Sequence, residues 1–191
     1  MSSIPTRPSR SLVGRVAVVT GAGSREDGIG NGRAAAILLA EDGCKVVCAD
    51  MSLSDAERTA DMINSEGHGQ AIAFSADVTK QDDCAAIVAK AVKEFGRLDI
   101  LVNNVGIMGP KGTAKEVDME DWEAGMRVNV SSMVMMAKYA IPEMEKNSLE
   151  PGRQWRGAIV NLGSVAGLRG GTPSLMYPTS KGAIVNLTVS L

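Results

Sequence analysis

Val16-Ala17-Val18-Val19-Thr20-Gly21-Ala22-Gly23-Ser24 runs from an unbroken apolar stretch into a glycine turn, and Gly28-Ile29-Gly30 carries the glycines up to an Ala- and Leu-rich segment. The apolar stretch reads as a strand buried on both faces. The segment from Gly30 to Asp42 reads as a helix. Strand, glycine turn and helix N-terminus, in that order, make a site for a pyrophosphate. Glycines let the backbone approach the phosphates, and the N–H groups of the helix start face the anion. The cradle expected here consists of Gly21, Gly23, Ser24, Arg25, Gly28, Ile29 and Gly30. A glycine turn alone is weak evidence; the elements on either side give it weight.

An acid stands where such a cradle needs one. Asp50 lies twenty residues beyond Gly30, at the end of a second apolar run. There its carboxylate can accept hydrogen bonds from adenosine ribose hydroxyls, and it would repel a 2′-phosphate. Met51 follows it, not an Arg or Lys that could receive that phosphate. NAD is therefore expected over NADP, with Arg25 inside the turn as the counter-indication. The plainer reading of Asp50 is a turn or helix-start residue.

The rest of the chain repeats the alternation. Lys45 to Asp50, Gln70 to Ser75, Leu98 to Asn103 and Ala158 to Leu162 read as further strands. Helical patterns cover Ser54 to Ser65, Gln81 to Phe95, Met119 to Glu145 and from near Tyr177 to the end. Short strands between longer helices imply right-handed βαβ units and an α/β fold, a doubly wound parallel sheet with helices on both faces. Gly43 reads as a helix stop, Ser54 with Glu57 as a capping box, and Asp118 with Asp121 as a weaker cap. Pro142 implies a kink or early end to its helix. Asn147 to Gly157 reads as a surface loop, with Trp155 as a local packing residue.

Bulk properties narrow the function. A chain of 191 residues suits one domain, and 45% apolar residues suit a globular one. A net charge of −2 with mixed signs and 3% aromatic residues give no support for nucleic-acid or membrane-surface partners. No apolar run reaches the roughly 20 residues of a membrane span. Residues 1–11 read as a flexible tail without an apolar signal core, which suggests a cytoplasmic protein. Cys44, Cys48 and Cys84 read as buried small hydrophobes. With His68 as the single histidine, no metal site is expected.

Near the end stands Tyr177-Pro178-Thr179-Ser180-Lys181, thirteen residues after Ser164. A Tyr and a Lys four apart share a helix face. A phenol ordinarily titrates near pH ~10, and a neighbouring ammonium favours its phenolate. Ser164 can hydrogen-bond a reacting oxygen, or be a simple turn residue. Asn129 falls inside a helix, where Asn is disfavoured.

Taken in order, Thr20 to Gly30, Asp77-Val78, Asn103-Asn104-Val105-Gly106, Asn129, Ser164 and Tyr177 with Lys181 resemble the short-chain dehydrogenase/reductase family, in its main rather than its extended branch. The resemblance covers about Leu12 to Leu191. It implies a Rossmann-type sheet of strand order 3-2-1-4-5. It implies that Asp77 and Val78 border the adenine, that Asn104, Val105 and Gly106 line the adenosine and ribose, and that Asn103 ties the sheet. Turns after strands are the plainer readings of these segments. It further implies that Tyr177 is the general acid or base and that Lys181 favours its phenolate and binds the nicotinamide ribose. Tyr177 and Lys181 thus count as cofactor-binding too. Ser164 would polarise the substrate oxygen, and Asn129 would hold a water linking Lys181 to solvent. The implied activity is hydride transfer between NAD and a secondary alcohol or ketone. Dimers or tetramers through the Asp118 and Tyr177 helices are implied as well.

Two departures qualify this. Arg25-Glu26-Asp27 reads as a three-residue insertion in the phosphate turn. The chain also stops at Leu191, inside the Tyr177 helix, where family members continue. An apolar edge at the fifth strand and weak or absent turnover are therefore expected. A catalytically silent dinucleotide-binding or interaction module is the alternative, and a lyase or isomerase on the same scaffold a third reading. Gly106 to Met108, Val165 to Leu168 and Met176 are expected to form one mostly apolar substrate wall.

Overall fold

The computed structural model describes residues 10–24, 28–67, 69–149 and 154–191. The expectations for Arg25, Glu26, Asp27 and His68, and for the first nine residues of the tail, lie outside the described residues.

Five parallel strands form one sheet in the order β3-β2-β1-β4-β5. They are β1 (Val16–Thr20), β2 (Lys45–Asp50), β3 (Gln70–Ser75), β4 (Ile100–Asn103) and β5 (Ala158–Asn161). Side chains alternate between the two faces, so β1 feeds two cores. Val16 and Val18 pack with Val47 of β2, with Cys84, Ile87 and Val88 of α3 (Gln81–Phe95), and with Met136 and Ala140 of α5 (Ser132–Glu145). Ala17 and Val19 pack on the other face with Val46 and Cys48, with Ala36 and Ala40 of α1 (Asn31–Glu41), and with Ala56 and Ile63 of α2 (Leu53–Glu66). Each fully buried Val, Leu or Ile contributes about 1.5–3 kcal/mol, which is why β1 and β2 are apolar at nearly every position.

Local chemistry ends the helices. Gly43, at φ +93°, follows α1, and the N–H groups of Gly43 and Cys44 donate to the carbonyls of Ala40 and Leu39. The start of α2 differs from expectation. Ser52, not Ser54, is its cap, with Oγ accepting from the Asp55 N–H at 3.4 Å. Ser52 sits one residue before the first helical position, whereas Ser54 is already inside the helix. The cap at Asp118 is present: its Oδ1 accepts from the Asp121 N–H at 3.0 Å.

The expected single helix from Met119 to Glu145 is divided. α4 (Met119–Met126) passes into a π-helical turn (Arg127–Ser131) before α5. Pro142 does not end α5, which runs on to Glu145. β4 starts at Ile100, not Leu98. Asp99 instead turns its buried carboxylate to the Val16 N–H at 3.0 Å and to Arg15 and Arg97 at 2.9 and 2.6 Å, pinning the start of β4 beside β1. Trp155 is 62% exposed and so is not the packing residue expected. The three cysteines are buried and unpaired. β5 lies at the sheet edge, as expected, with Val160 exposed. The last helix, α6 (Met176–Ser190), packs on the π-helical turn and on a 3-10 turn (Val165–Gly167). Among the described residues, no helix is long and apolar enough to cross a membrane.

Candidate active site

β2 lies on one side of β1 and β4 on the other, so the strand order reverses at β1. In open α/β sheets the crevice beyond the strand C-termini at such a reversal is where ligands bind. A cavity of about 500 Å³ opens there. It is lined by Gly21, Gly23, Ser24, Asp50, Met51, Asp77, Val78, Asn104, Val105 and Gly106, all expected from sequence, and also by Ser52, Asp55, Thr79, Ile107 and Val128. Gly28, Ile29 and Gly30 are exposed beside it and do not line it.

The floor is the glycine turn. Gly21 has φ +64°, a conformation that an L side chain rarely adopts. A Cβ on Gly23 would lie 2.8 Å from Asp50 Oδ2, and a Cβ on Gly32 would overlap the Gly21 carbonyl oxygen. The turn, α1 and β2 therefore sit closer than any larger residue permits. Asp50 holds the turn itself: Oδ2 accepts the Gly23 N–H at 2.9 Å and Oδ1 the Ser52 N–H at 3.0 Å. Asn104 closes the other side, with Nδ2 donating to the Gly21 carbonyl at 2.9 Å. Gly30 is the α1 cap and offers no side chain to the helix start, so the first-turn N–H groups are left to other acceptors.

At the far wall, Asp77 is fixed by its neighbours. Its Oδ1 accepts the Thr79 hydroxyl at 2.7 Å and the Thr79 N–H at 3.0 Å, and its own N–H donates to Asp83 Oδ2 at 2.8 Å. The Thr79 hydroxyl, followed by the Thr79 N–H and the charges of Lys80 and Arg127, holds the Asp77 carboxyl below the usual aspartate range. Asn103 ties the sheet through Nδ2 to Asn161 Oδ1 at 2.9 Å.

The second group lies beside the cavity at Gly106 and Ile107. Asn129, at 0% exposure, sits in the π-helical turn. Such turns recur at functional sites because they re-aim a side chain. Its Oδ1 accepts the Ile107 N–H at 2.8 Å, and its Nδ2 donates to the Ile107 carbonyl at 2.8 Å and to Ser180 Oγ at 3.0 Å. Both amide hydrogens are thus used, which fixes the amide orientation and leaves one acceptor site on Oδ1. Lys181 donates from Nζ to the Leu162 carbonyl at 2.6 Å, and Nζ lies 5.7 Å from the centroid of the Tyr177 ring. Burial pushes the Lys181 ammonium below the usual lysine range. A Cβ on Gly106 would stand 3.3 Å from Lys181 Nζ and 3.5 Å from Asn129 Oδ1, so the three residues converge.

Tyr177 and Ser164 are placed by packing at glycines. Met176 is fully buried, not on a substrate wall as expected, and fits where Gly109 and Gly125 carry no Cβ. This seats the first turn of α6 and hence Tyr177, whose N–H also donates to Ser174 Oγ at 3.2 Å. Val165 and Leu168 are exposed. Gly167 touches the backbone of α6 at Lys181 and Gly182. Three residues earlier, Ser164 caps the 3-10 turn, its Oγ accepting the Ala166 N–H at 3.1 Å. Among the described residues, its own hydroxyl proton has no acceptor.

Sequence reading missed three structural supports of this site: Arg33, Thr59 and Ser180. All are buried polar side chains on helices, where a residue type alone reads as solvent-facing. Gly32 was legible as a glycine two residues beyond Gly30, continuing the spacing of the turn.

Comparison with known proteins gives the family. The model of short chain dehydrogenases matches residues 15–191. An uncharacterized oxidoreductase of Thermotoga maritima is 43% identical over 178 residues, 93% of this chain and 64% of that protein. Cis-4-hydroxycyclohexanecarboxylate dehydrogenase of Sinomonas cyclohexanicum is 38% identical, over 92% of this chain and 65% of that one. Among solved structures, 7 alpha-hydroxysteroid dehydrogenase complexed with NADH and 7-oxo glycochenodeoxycholic acid superposes with a TM-score of 0.83 at 33% identity, over 94% of this chain and 64% of that one. This chain thus spans slightly under two thirds of the length of these relatives. With the reversed-order sheet, the glycine turn and the family match all on residues 15–191, the chain belongs to the short chain dehydrogenase family.

Proposed function

We propose that this chain carries the cofactor-binding and proton-transfer parts of an NAD-dependent oxidoreductase acting on a secondary alcohol or ketone. The observation that carries the reading is the convergence of Lys181 and Asn129 on Gly106, at the rim of the cavity floored by the glycine turn.

The residues present fit a dinucleotide. Gly21 and Gly23 leave a cradle that a Cβ would fill, and among the described residues no side chain caps the α1 start. Gly21, Gly23, Ser24, Gly28, Ile29 and Gly30 would hold the pyrophosphate. Asp50 would take the adenosine ribose, Met51 standing beside it, with Asp77 and Val78 at the adenine and Asn104, Val105 and Gly106 at the ribose. Asp55 lines the same mouth as Asp50. Two carboxylates there favour an unphosphorylated ribose, because a 2′-phosphate would meet like charge. The bound nicotinamide supplies the hydride chemistry.

The chain's own residues supply proton handling. The Tyr177 hydroxyl exchanges a proton with the alcohol or ketone oxygen. Ser164, held in place by the bond its Oγ accepts from the Ala166 N–H, donates its hydroxyl hydrogen bond to that same oxygen and orients it. Lys181 has two N–H donors beyond the one on Leu162, enough to reach both the ribose and a water. Asn129, with one acceptor site left on Oδ1, can seat that water beside Lys181. The names of relatives such as cis-4-hydroxycyclohexanecarboxylate dehydrogenase support a hydroxyl-bearing substrate.

The test is NADH formation from NAD with a panel of secondary alcohols, compared between the parent and Tyr177→Phe. Loss of about 10²–10⁴-fold in turnover is expected for a positioned acid or base. Equal rates in the two proteins would reject the proton-transfer role.

A further inference from the structure

Arg33 stands at the third helical position of α1 and is only 1% exposed. Both facts count against it in stability terms. A cation in the first turn opposes the helix dipole, and a buried guanidinium loses its water. The fold surrounds it with acceptors. Nε donates to Thr59 Oγ1 at 3.0 Å, Nη1 to the Gly28 carbonyl at 2.6 Å, and Nη2 to the carbonyls of Ser24 at 3.3 Å and Asp55 at 3.5 Å. Among the described residues, every oxygen it donates to is neutral.

Ser24 and Gly28 are the described residues on either side of residues 25–27. One guanidinium plane therefore joins the two described stretches of the phosphate turn, 21–24 and 28–30. Thr59 extends the hold: while accepting from Arg33, its Oγ1 lies 2.8 Å from the Ala22 carbonyl, the nearer of the two carbonyls its one proton can reach, the other being that of Asp55 at 3.1 Å. The peptide plane then sets direction. In a trans peptide the C=O and the following N–H point opposite ways, and no described peptide bond is cis. With the Gly28 carbonyl turned in to Arg33, the Ile29 N–H is turned away from it, to the outside.

We propose that Arg33, braced by Thr59, is a positioning residue that sets the phosphate turn for anion binding by drawing its carbonyls inward. That the anion is a dinucleotide pyrophosphate rests on the function proposed above. The guanidinium fork suits the role, because its donors are fixed in one plane and pre-aimed at separate carbonyls, whereas an ammonium is a compact point charge on a flexible stem.

The test uses Arg33→Met, Arg33→Lys and Thr59→Val in the full chain. Amide hydrogen exchange is followed across residues 21–30 and, for comparison, across β3 and α3. Calorimetric titration with ADP, which has the pyrophosphate, is set against adenosine, which lacks it. The expected result for Arg33→Met is exchange in residues 21–30 faster by about 10-fold, with β3 and α3 unchanged, and ADP affinity lower by about 10-fold with adenosine within about twofold. Thr59→Val should shift both in the same direction, by less, and carries the test if Arg33→Met does not fold. Arg33→Lys should recover only part. Exchange that rises equally everywhere, or ADP and adenosine affinities that fall together, would overturn the proposal. A parent that bound neither ligand would reject the cofactor reading, and exchange at the turn would still decide the role of Arg33.

Discussion

Asn129 grips Ile107 at both ends of its peptide groups, accepting its N–H and donating to its carbonyl, each at 2.8 Å. The same amide reaches Ser180 on α6. One buried side chain thereby fixes the cavity rim, the π-helical turn and the helix of Tyr177 and Lys181 against one another. Asn129→Leu removes all three bonds and leaves the Ile107 groups without their partner. The expected loss is about 2–4 kcal/mol in urea unfolding.

Gly167→Ala tests how Ser164 is placed relative to α6. A Cβ there would lie 2.6 Å from the Lys181 carbonyl oxygen, and backbone on both sides leaves little room to yield. The 3-10 turn should move off α6, costing about 1–3 kcal/mol of stability. If Ser164 orients the substrate oxygen, kcat should fall more than KM rises. An unchanged kcat would mean that the turn does not serve the chemistry.

The thiols should be silent in the folded chain. Burial pushes Cys44 and Cys48 up to about 12 and Cys84 up to about 11. The thiolate, not the thiol, is the nucleophile. A disulfide reagent at pH 8 should therefore titrate none of the three in the native protein and all of them in urea. Rapid native labelling of any one would contradict the packing described.

Asp77 should link stability to acid pH. Its folded carboxyl titrates below the ordinary value of 3.8, chiefly through the Thr79 hydroxyl. The unfolded chain then binds more protons in that window, so stability rises with pH across it. The contribution is complete above 3.8 and is lost as pH falls through the lowered folded value. Thr79→Val, which removes the hydroxyl, should raise the Asp77 value observed by NMR. No movement on that substitution would assign the shift elsewhere.

The strands and the glycine turn at the strand reversal were legible because both are written locally. Short valine-rich runs between longer helical patterns suit doubly covered strands, and glycines between a strand and a helix suit a close approach. Elements set by long-range contact were less legible. The π-helical turn at Arg127–Ser131 lies inside an unbroken helical pattern, while the bonds of its Asn129 run to Ile107 and Ser180, both distant in sequence. Ser54 with Glu57 was the expected cap of α2, but the helix begins two residues earlier than that cap requires, at Leu53, so Ser52 takes the place. Met176, expected on a substrate wall, is buried because Gly109 and Gly125, distant in sequence, make its pocket. Arg33 reads as a solvated helix residue; its burial depends on Thr59, twenty-six residues away.

The measurement that bears most directly on the central claim is calorimetric titration of the folded chain with NAD and with NADP. With Asp50 and Asp55 at the mouth of the cavity, NAD should bind at least about tenfold more tightly than NADP, a difference of about 1.4 kcal/mol. Asp50→Ala should weaken NAD and narrow that gap. A folded chain that bound neither dinucleotide, or preferred NADP, would contradict the account.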